Sequence, residues 1–191
     1  MADLTGTHSL GPGNGRVLVK TGREGLAARA GHDLTLEITQ WSAVVSVPSA
    51  DETSSSVTLS GDLDLGSLTV RSGTGGAKPL SDKDRRDIQN QARKILGSPA
   101  SARFQSTRVF QSASAAGGGA IEGTLALHGQ SRSIRLEVSS PGEGRYRGST
   151  TIRQTDFGIT PYSGFFGALK LRDEVIVEFE ITIEEPPNGS G

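Results

Sequence analysis

The sequence predicts an all-β protein, a single antiparallel domain carrying one α-helix. Three observations point there. Short runs of alternating apolar and polar residues recur along nearly the whole chain, which is the period of a half-buried strand. The 26 glycines are clustered between those runs rather than periodic, as tight turns require. One segment, 81–97, abandons the alternation for helix formers.

Taken in order, residues 1–14 lack apolar periodicity and are expected to be a flexible terminus, as is the tail 186–191. The domain is placed at 15–185, consistent with one domain in 191 residues. RVLVKT (16–21) reads as a strand. In HDLTLEI (32–38), His32, Leu34, Leu36 and Ile38 share one face, and Asp33, Thr35 and Glu37 the other. Trp41, Ala43, Val45 and Val47 repeat the pattern up to Pro48. SADETSSS (49–56) is a polar loop. Val57, Leu59, Leu63, Leu65, Leu68 and Val70 continue the strands, with Gly61 as a bulge.

The helix is expected over about 82–96. Ser81 caps it, with Asp84 as capping-box partner. Ile88, Ala92, Ile95 and Leu96 form one narrow apolar stripe, so the helix docks along one edge only. Gly97 and Pro99 end it.

Strands resume with ARFQSTRVF (102–110), which puts Phe104 and Phe110 on one face. SASAAGGGA (112–120) reads as a hairpin loop. In IEGTLALHG, Ile121, Gly123, Leu125 and Leu127 are in phase. A tight turn at 129–131 leads to Ile134, Leu136 and Val138. RYRGSTTIRQ (145–154) follows. The last strand, DEVIVEFEITIEE, alternates Val175, Val177, Phe179, Ile181 and Ile183 with glutamates. Its acidic face is an exposed wall or the edge of a homodimer; both stay open.

These eight or nine strands fit either a two-sheet sandwich or a closed barrel. The small in-phase residues Gly123, Gly148 and Ala43 lean toward a barrel with interior room.

The composition narrows function. A net charge of −1 gives no basic field for nucleic acid. With no cysteine there is no disulfide, cysteine–zinc site or thiol nucleophile. No apolar run reaches the length of a membrane-spanning helix. The start shows no basic stretch followed by an apolar run, so a cytoplasmic location is expected. The three histidines do not converge in spacing with Asp33 or Asp156 as metal ligands. His128 reads as a hairpin residue. No serine stands in a nucleophile elbow, and the glycine-rich pieces lack the lysine of a phosphate loop.

Nine Phe, Tyr and Trp residues occur in the chain, and four of them fall in TDFGITPYSGFFGALKLRDEV (155–175). Gly158, Gly164, Gly167 and Pro161 break this segment too often for a plain strand.

GHDLTLEITQWSA, SPASARFQSTRV, IEGTLALHGQSRSIRLEV and the aromatic segment running into the final strand, in that order, resemble the YceI-like family of small lipid-binding proteins. The resemblance covers roughly residues 15–185. It implies a lipocalin-like barrel, here a single antiparallel eight-stranded one, with a long apolar interior cavity. It also implies a polyisoprenoid ligand, such as an isoprenoid quinone or polyprenyl chain, and no further cofactor. On that footing the cavity is expected to be lined by His32, Leu34, Leu36, Phe104, Leu125 and Leu127. Phe157, Tyr162, Phe165 and Phe166 would line or plug one mouth, Tyr162 adding a hydroxyl for a head group. The expected function is binding, sequestration or transport of that lipid without catalysis. The alternatives are an enzyme using His32 with Asp156 or Tyr162 on a quinone-like substrate, and an interaction protein with a solid core.

Overall fold

A computed structural model describes residues 5–49, 56–111 and 118–183. The predicted tail at 186–191, most of the polar loop 49–56 and positions 112–117 of the glycine–serine loop lie outside the described residues.

The chain forms β1 (Gly6–Leu10), β2 (Gly15–Glu24), β3 (Asp33–Ile38), β4 (Trp41–Val47), β5 (Thr58–Asp64) and β6 (Leu68–Thr74). Helix α1 (Asp82–Leu96) follows. Then come β7 (Ser101–Gln111), β8 (Gly118–Leu127), β9 (Gln130–Gly142), β10 (Arg145–Arg153), β11 (Ser163–Gly164) and β12 (Leu169–Thr182). Eleven strands make one antiparallel ladder in the order β1-β4-β5-β7-β8-β9-β10-β12-β2-β3-β6, and β11 pairs with β12 beside it.

This corrects the expected closed eight-stranded barrel. The ladder ends at β1 and β6, which do not pair, so the sheet is an open, curled half-barrel. One continuous ladder likewise excludes a two-sheet sandwich. The physical reason lies at two corners. The chain leaves β3 and enters β4 through Thr39 and Gln40, yet β3 pairs only with β2 and β6, and β4 only with β1 and β5. The β5–β6 corner at 64–67 meets this turn. Ser67 Oγ accepts from the Thr39 and Gln40 amides at 3.1 and 3.0 Å, and the Asp64 amide donates to the Gln40 carbonyl at 3.0 Å. The backbone of the turn is thus satisfied by this side chain and this corner, without pairing β3 to β4.

The free edge of β6 is covered by α1. Arg85 of the helix donates through Nη1 to the carbonyls of Val70 and Arg71, each at 3.1 Å. An exposed strand edge invites pairing with another chain, and a docked helix blocks it. The helix carries the predicted capping box: the Asp84 amide donates to Ser81 Oγ at 3.2 Å, and the Ser81 amide to the Asp84 carboxylate at 2.9 Å.

Two further differences from expectation concern local pattern. Residues 6–10, within the segment expected to be loose, form β1 and pair with β4 from Gly6↔Val47 to Leu10↔Ala43. The β8–β9 hairpin turns at His128 and Gly129, one residue earlier than predicted, with φ of 50° and 74°. Positive φ at both central positions is what a two-residue hairpin turn of the primed type needs.

The final strand lies between β10 and β2, so it is neither an edge nor a site for strand addition by a second copy. Its outward carboxylates meet cations of both neighbours: Glu178 meets Lys20, Glu180 meets Arg16 and Arg147, and Glu174 meets Arg153.

An apolar cavity in the curled sheet

Because side chains alternate at a period of two, each strand delivers one row to the concave face and one to solvent. On β2 the inward row is Val17, Val19 and Thr21; on β3 it is Leu34, Leu36 and Ile38. On β12 the odd-numbered residues from Leu169 to Phe179, apart from Asp173, continue it to Ile181 and Ile183. That single row follows roughly 45 Å of chain at about 3.3 Å per residue.

These rows enclose a cavity of about 1790 Å³. Sites for drug-sized ligands usually occupy about 300–1,000 Å³, so this space suits a longer molecule. The solid core of the rejected interaction-protein reading is therefore absent. The helix completes the wall: Ile88, Ala92, Ile95 and Leu96, the stripe visible in the sequence, all face the cavity.

Acidic, basic and histidine side chains are few in the lining: Arg23, His32, Lys78, Asp84, Asp87 and Glu143. At the end where β2 passes into β3, His32 Nε2 donates to the Lys78 carbonyl at 2.8 Å, and Asp33 accepts the Arg23 amide at 2.9 Å. Arg23 also donates to the Gly31 carbonyl. Asp84 lines the same end; its hydrogen bonds from Ser81 hold its carboxyl below the usual carboxylate range. Between the ends the wall is built from residues such as Val19, Leu36, Phe104, Leu125, Ile152 and Val177. Among the described residues no group of three His, Cys, Asp or Glu side chains is placed to hold a metal ion. Among the described residues no helix is long and apolar enough to cross a membrane.

The predicted site residues divide into three groups. His32, Leu34, Leu36, Phe104, Leu125, Leu127 and Tyr162 line the cavity. Phe157 does not: it is 2% exposed and packed in the core behind the wall, where its carbonyl accepts from His128 Nδ1 at 3.2 Å. Phe165 and Phe166 are on the solvent side, 67% and 112% exposed, and neither lines the cavity. The reason is the backbone, which carries φ of 50° and 55° at these two residues and turns both side chains away from the sheet. Asp156, the proposed partner of His32, is exposed on the turn 154–157 and lies outside the wall.

The β12 row, the β2 row and the helix stripe were not named as site residues. Their signal was present as plain alternation and as i, i+4 spacing. It marks burial and does not separate a core from a cavity wall.

Comparison with known proteins agrees with this architecture. The YceI-like domain profile matches residues 21–183. No curated protein matches the chain. Among solved structures, BcnA of Burkholderia cenocepacia superposes with a TM-score of 0.59 at 16% identity, covering 89% of this chain and 96% of its own. A mutant YceI protein of Campylobacter jejuni with a monobromobimane guest superposes with a TM-score of 0.51 at 17% identity, over 78% of this chain and 85% of that one. At such identities the likeness is one of fold.

Proposed function

We propose a function from this premise: the chain belongs to the YceI-like family. This is a non-catalytic lipid-binding family whose fold takes long apolar ligands in the cavity of a curved sheet. In this protein the ligand is one isoprenoid chain, that of an isoprenoid quinone or a polyprenyl lipid, which the protein sequesters or carries without chemistry of its own. The observation that supports this most is the wall itself: it is mainly apolar from β2 round to α1, with few charged side chains.

Leu34, Leu36, Phe104, Leu125 and Leu127 contact the chain. His32 and Tyr162 stand where a polar head would emerge. Each buried CH₂ contributes about 0.8 kcal/mol, so one isoprene unit contributes up to about 4 kcal/mol. Association and ordering cost about 4–15 kcal/mol, so several units are needed before binding is tight. Such a site selects by length and girth more than by head group.

The test is extraction of the protein purified from its own host with organic solvent, followed by mass spectrometry. The expected result is close to one isoprenoid lipid per chain. Protein that is recovered empty, and that takes up no isoprenoid quinone from detergent solution, overturns the proposal. Turnover of an added quinone would instead indicate an enzyme.

A further inference from the structure

The two phenylalanines that leave the cavity wall are not alone. Among the described residues five large apolar side chains are exposed, and Leu26, Phe165 and Phe166 are the three most exposed of them, at 101%, 67% and 112%. They are far apart in sequence but share one tip. The Ala27 amide donates to the Ala168 carbonyl at 2.8 Å, and a Cβ on Gly25 would fall 2.4 Å from the same oxygen. Lys170 and Glu24 are paired in the ladder just behind.

This tip stands beside an end of the cavity. Ala30 and His32 follow Leu26 and line it; Tyr162 precedes the Phe pair and Leu169 follows it, and both line it. Rings that would be stabilised by entering an apolar space next to them are held outside it. The backbone does the holding, with φ in the left-handed region at two consecutive phenylalanines. Bulky residues rarely adopt that conformation, which is costly and held only by the surrounding structure.

The surrounding charge is cationic. Arg29, Lys170 and Arg172 are exposed at the tip, with Glu24 as the exposed acid. None of these three cations forms an ion pair among the described residues, whereas Arg16 and Lys20 of β2 and Arg147 and Arg153 of β10 all do.

We propose that this tip docks the protein on the surface of an anionic lipid bilayer, with Leu26, Phe165 and Phe166 entering the interfacial region and Arg29, Lys170 and Arg172 meeting the head groups. Apolar side chains ringed by cations are the composition of an interfacial membrane contact. The placement sets an end of the cavity against the membrane. That loading route rests on the lipid-binding reading above; the docking itself does not.

Flotation with vesicles tests it. Wild-type protein is expected to float with equimolar phosphatidylcholine and phosphatidylglycerol, and more weakly with phosphatidylcholine alone. The variant L26S/F165N/F166N is expected to bind at least about tenfold more weakly. Asparagine tolerates the left-handed conformation, so the fold is retained, as circular dichroism will show. Replacing Arg29, Lys170 and Arg172 with Gln is expected to cost about fivefold per cation on anionic vesicles only. Phe166→Trp is expected to give an emission that shifts to the blue and is quenched by brominated acyl chains.

Wild-type protein that floats with neither vesicle, or a triple variant that floats as well as wild type, overturns the proposal. So does a wild-type dimer in sedimentation that the triple variant dissolves, without vesicle binding: the occupant is then a second copy. Uptake of isoprenoid quinone from detergent by the triple variant separates the two readings. Normal uptake by a variant that no longer floats supports docking, while wild-type protein that floats but takes up no quinone refutes the cavity ligand and leaves docking intact.

Discussion

Gly148 of β10 and Phe179 of β12 face each other directly in the ladder, and a Cβ on Gly148 would fall 2.3 Å from the Phe179 ring. The glycine is the seat of the ring. Gly123 also seats a ring, though not a directly paired one: Phe104, opposite Leu125 in the ladder, has its ring tip 2.4 Å from where a Cβ on Gly123 would be. These two glycines therefore leave space that a neighbour's aromatic side chain fills, whereas Ala43, the third small in-phase residue, lines the cavity.

Gly148→Ala is accordingly expected to destabilise. Gly148 has no positive φ, so alanine meets no backbone penalty and would gain about 0.5–1 kcal/mol from chain entropy alone. The clash with the ring outweighs this, for a net loss of about 1–2 kcal/mol. In a Phe179→Ala background the same change should be neutral or stabilising. A double-mutant cycle in urea checks it; equal effects in both backgrounds would refute the ring contact.

Thr21 offers the opposite case. It is 8% exposed, lies between Leu34 and Val175 in the ladder, and its hydroxyl has no hydrogen-bond partner. Valine has nearly the same shape and removes an unsatisfied polar atom. Thr21→Val is expected to stabilise by about 1 kcal/mol, read as a higher urea midpoint at unchanged slope. A fall in midpoint would mean that the hydroxyl is paired in solution.

The reading of the cavity by chain length has its own test. Val177 faces the cavity between Thr150 and Val19, with empty space in front of it. Val177→Trp should fold, because the indole enters that space rather than a packed core. It should leave short isoprenoids bound as before and weaken long ones by about 3 kcal/mol, roughly the four methylenes displaced. Titration with quinones of increasing tail length decides. Uniform weakening at all lengths would place the ligand elsewhere.

Much of this fold was legible because its signals are local. The helix bounds followed from Ser81, Asp84 and Gly97, which lie in or directly beside the element they limit. The inward faces followed from a period that neighbours enforce. Closure of the sheet is a different kind of fact. It depends on whether β6 meets β1, and β6 instead meets α1 through Arg85, whose partners lie 14 to 15 residues away. Nothing in the alternation of either strand records such bonds. The aromatic segment failed for a related reason. Its composition marked an unusual place, but the direction of Phe165 and Phe166 hangs on two left-handed φ angles at residues that seldom adopt them. Phe157, four residues past the end of β10, is drawn into the core by a tight turn that closes on Gly158.

The last expectation concerns acid. Glu180 on the outer face of β12 accepts from Arg16 Nη2 at 2.8 Å and from Arg147 Nη2 at 3.1 Å. The Arg16 hydrogen bond first, and the Arg147 one next, hold its carboxyl below the ordinary value of 4.5. In the unfolded chain those partners are gone and the carboxyl takes up its proton near that ordinary value. The unfolded state thus binds more protons as the pH drops below 4.5, so stability falls with pH there. The contribution is complete above 4.5 and disappears as the pH passes down through the lowered folded value. Glu180→Gln removes the titration. Its Tm should lie below wild type at neutral pH, and the two curves should converge as the pH falls below 4.5. High salt should narrow the neutral-pH difference, since all three side chains are partly in water. Thermal melts across that range at low and high salt provide the measurement, and curves that stay parallel down to full protonation would refute the linkage of this carboxylate to folding.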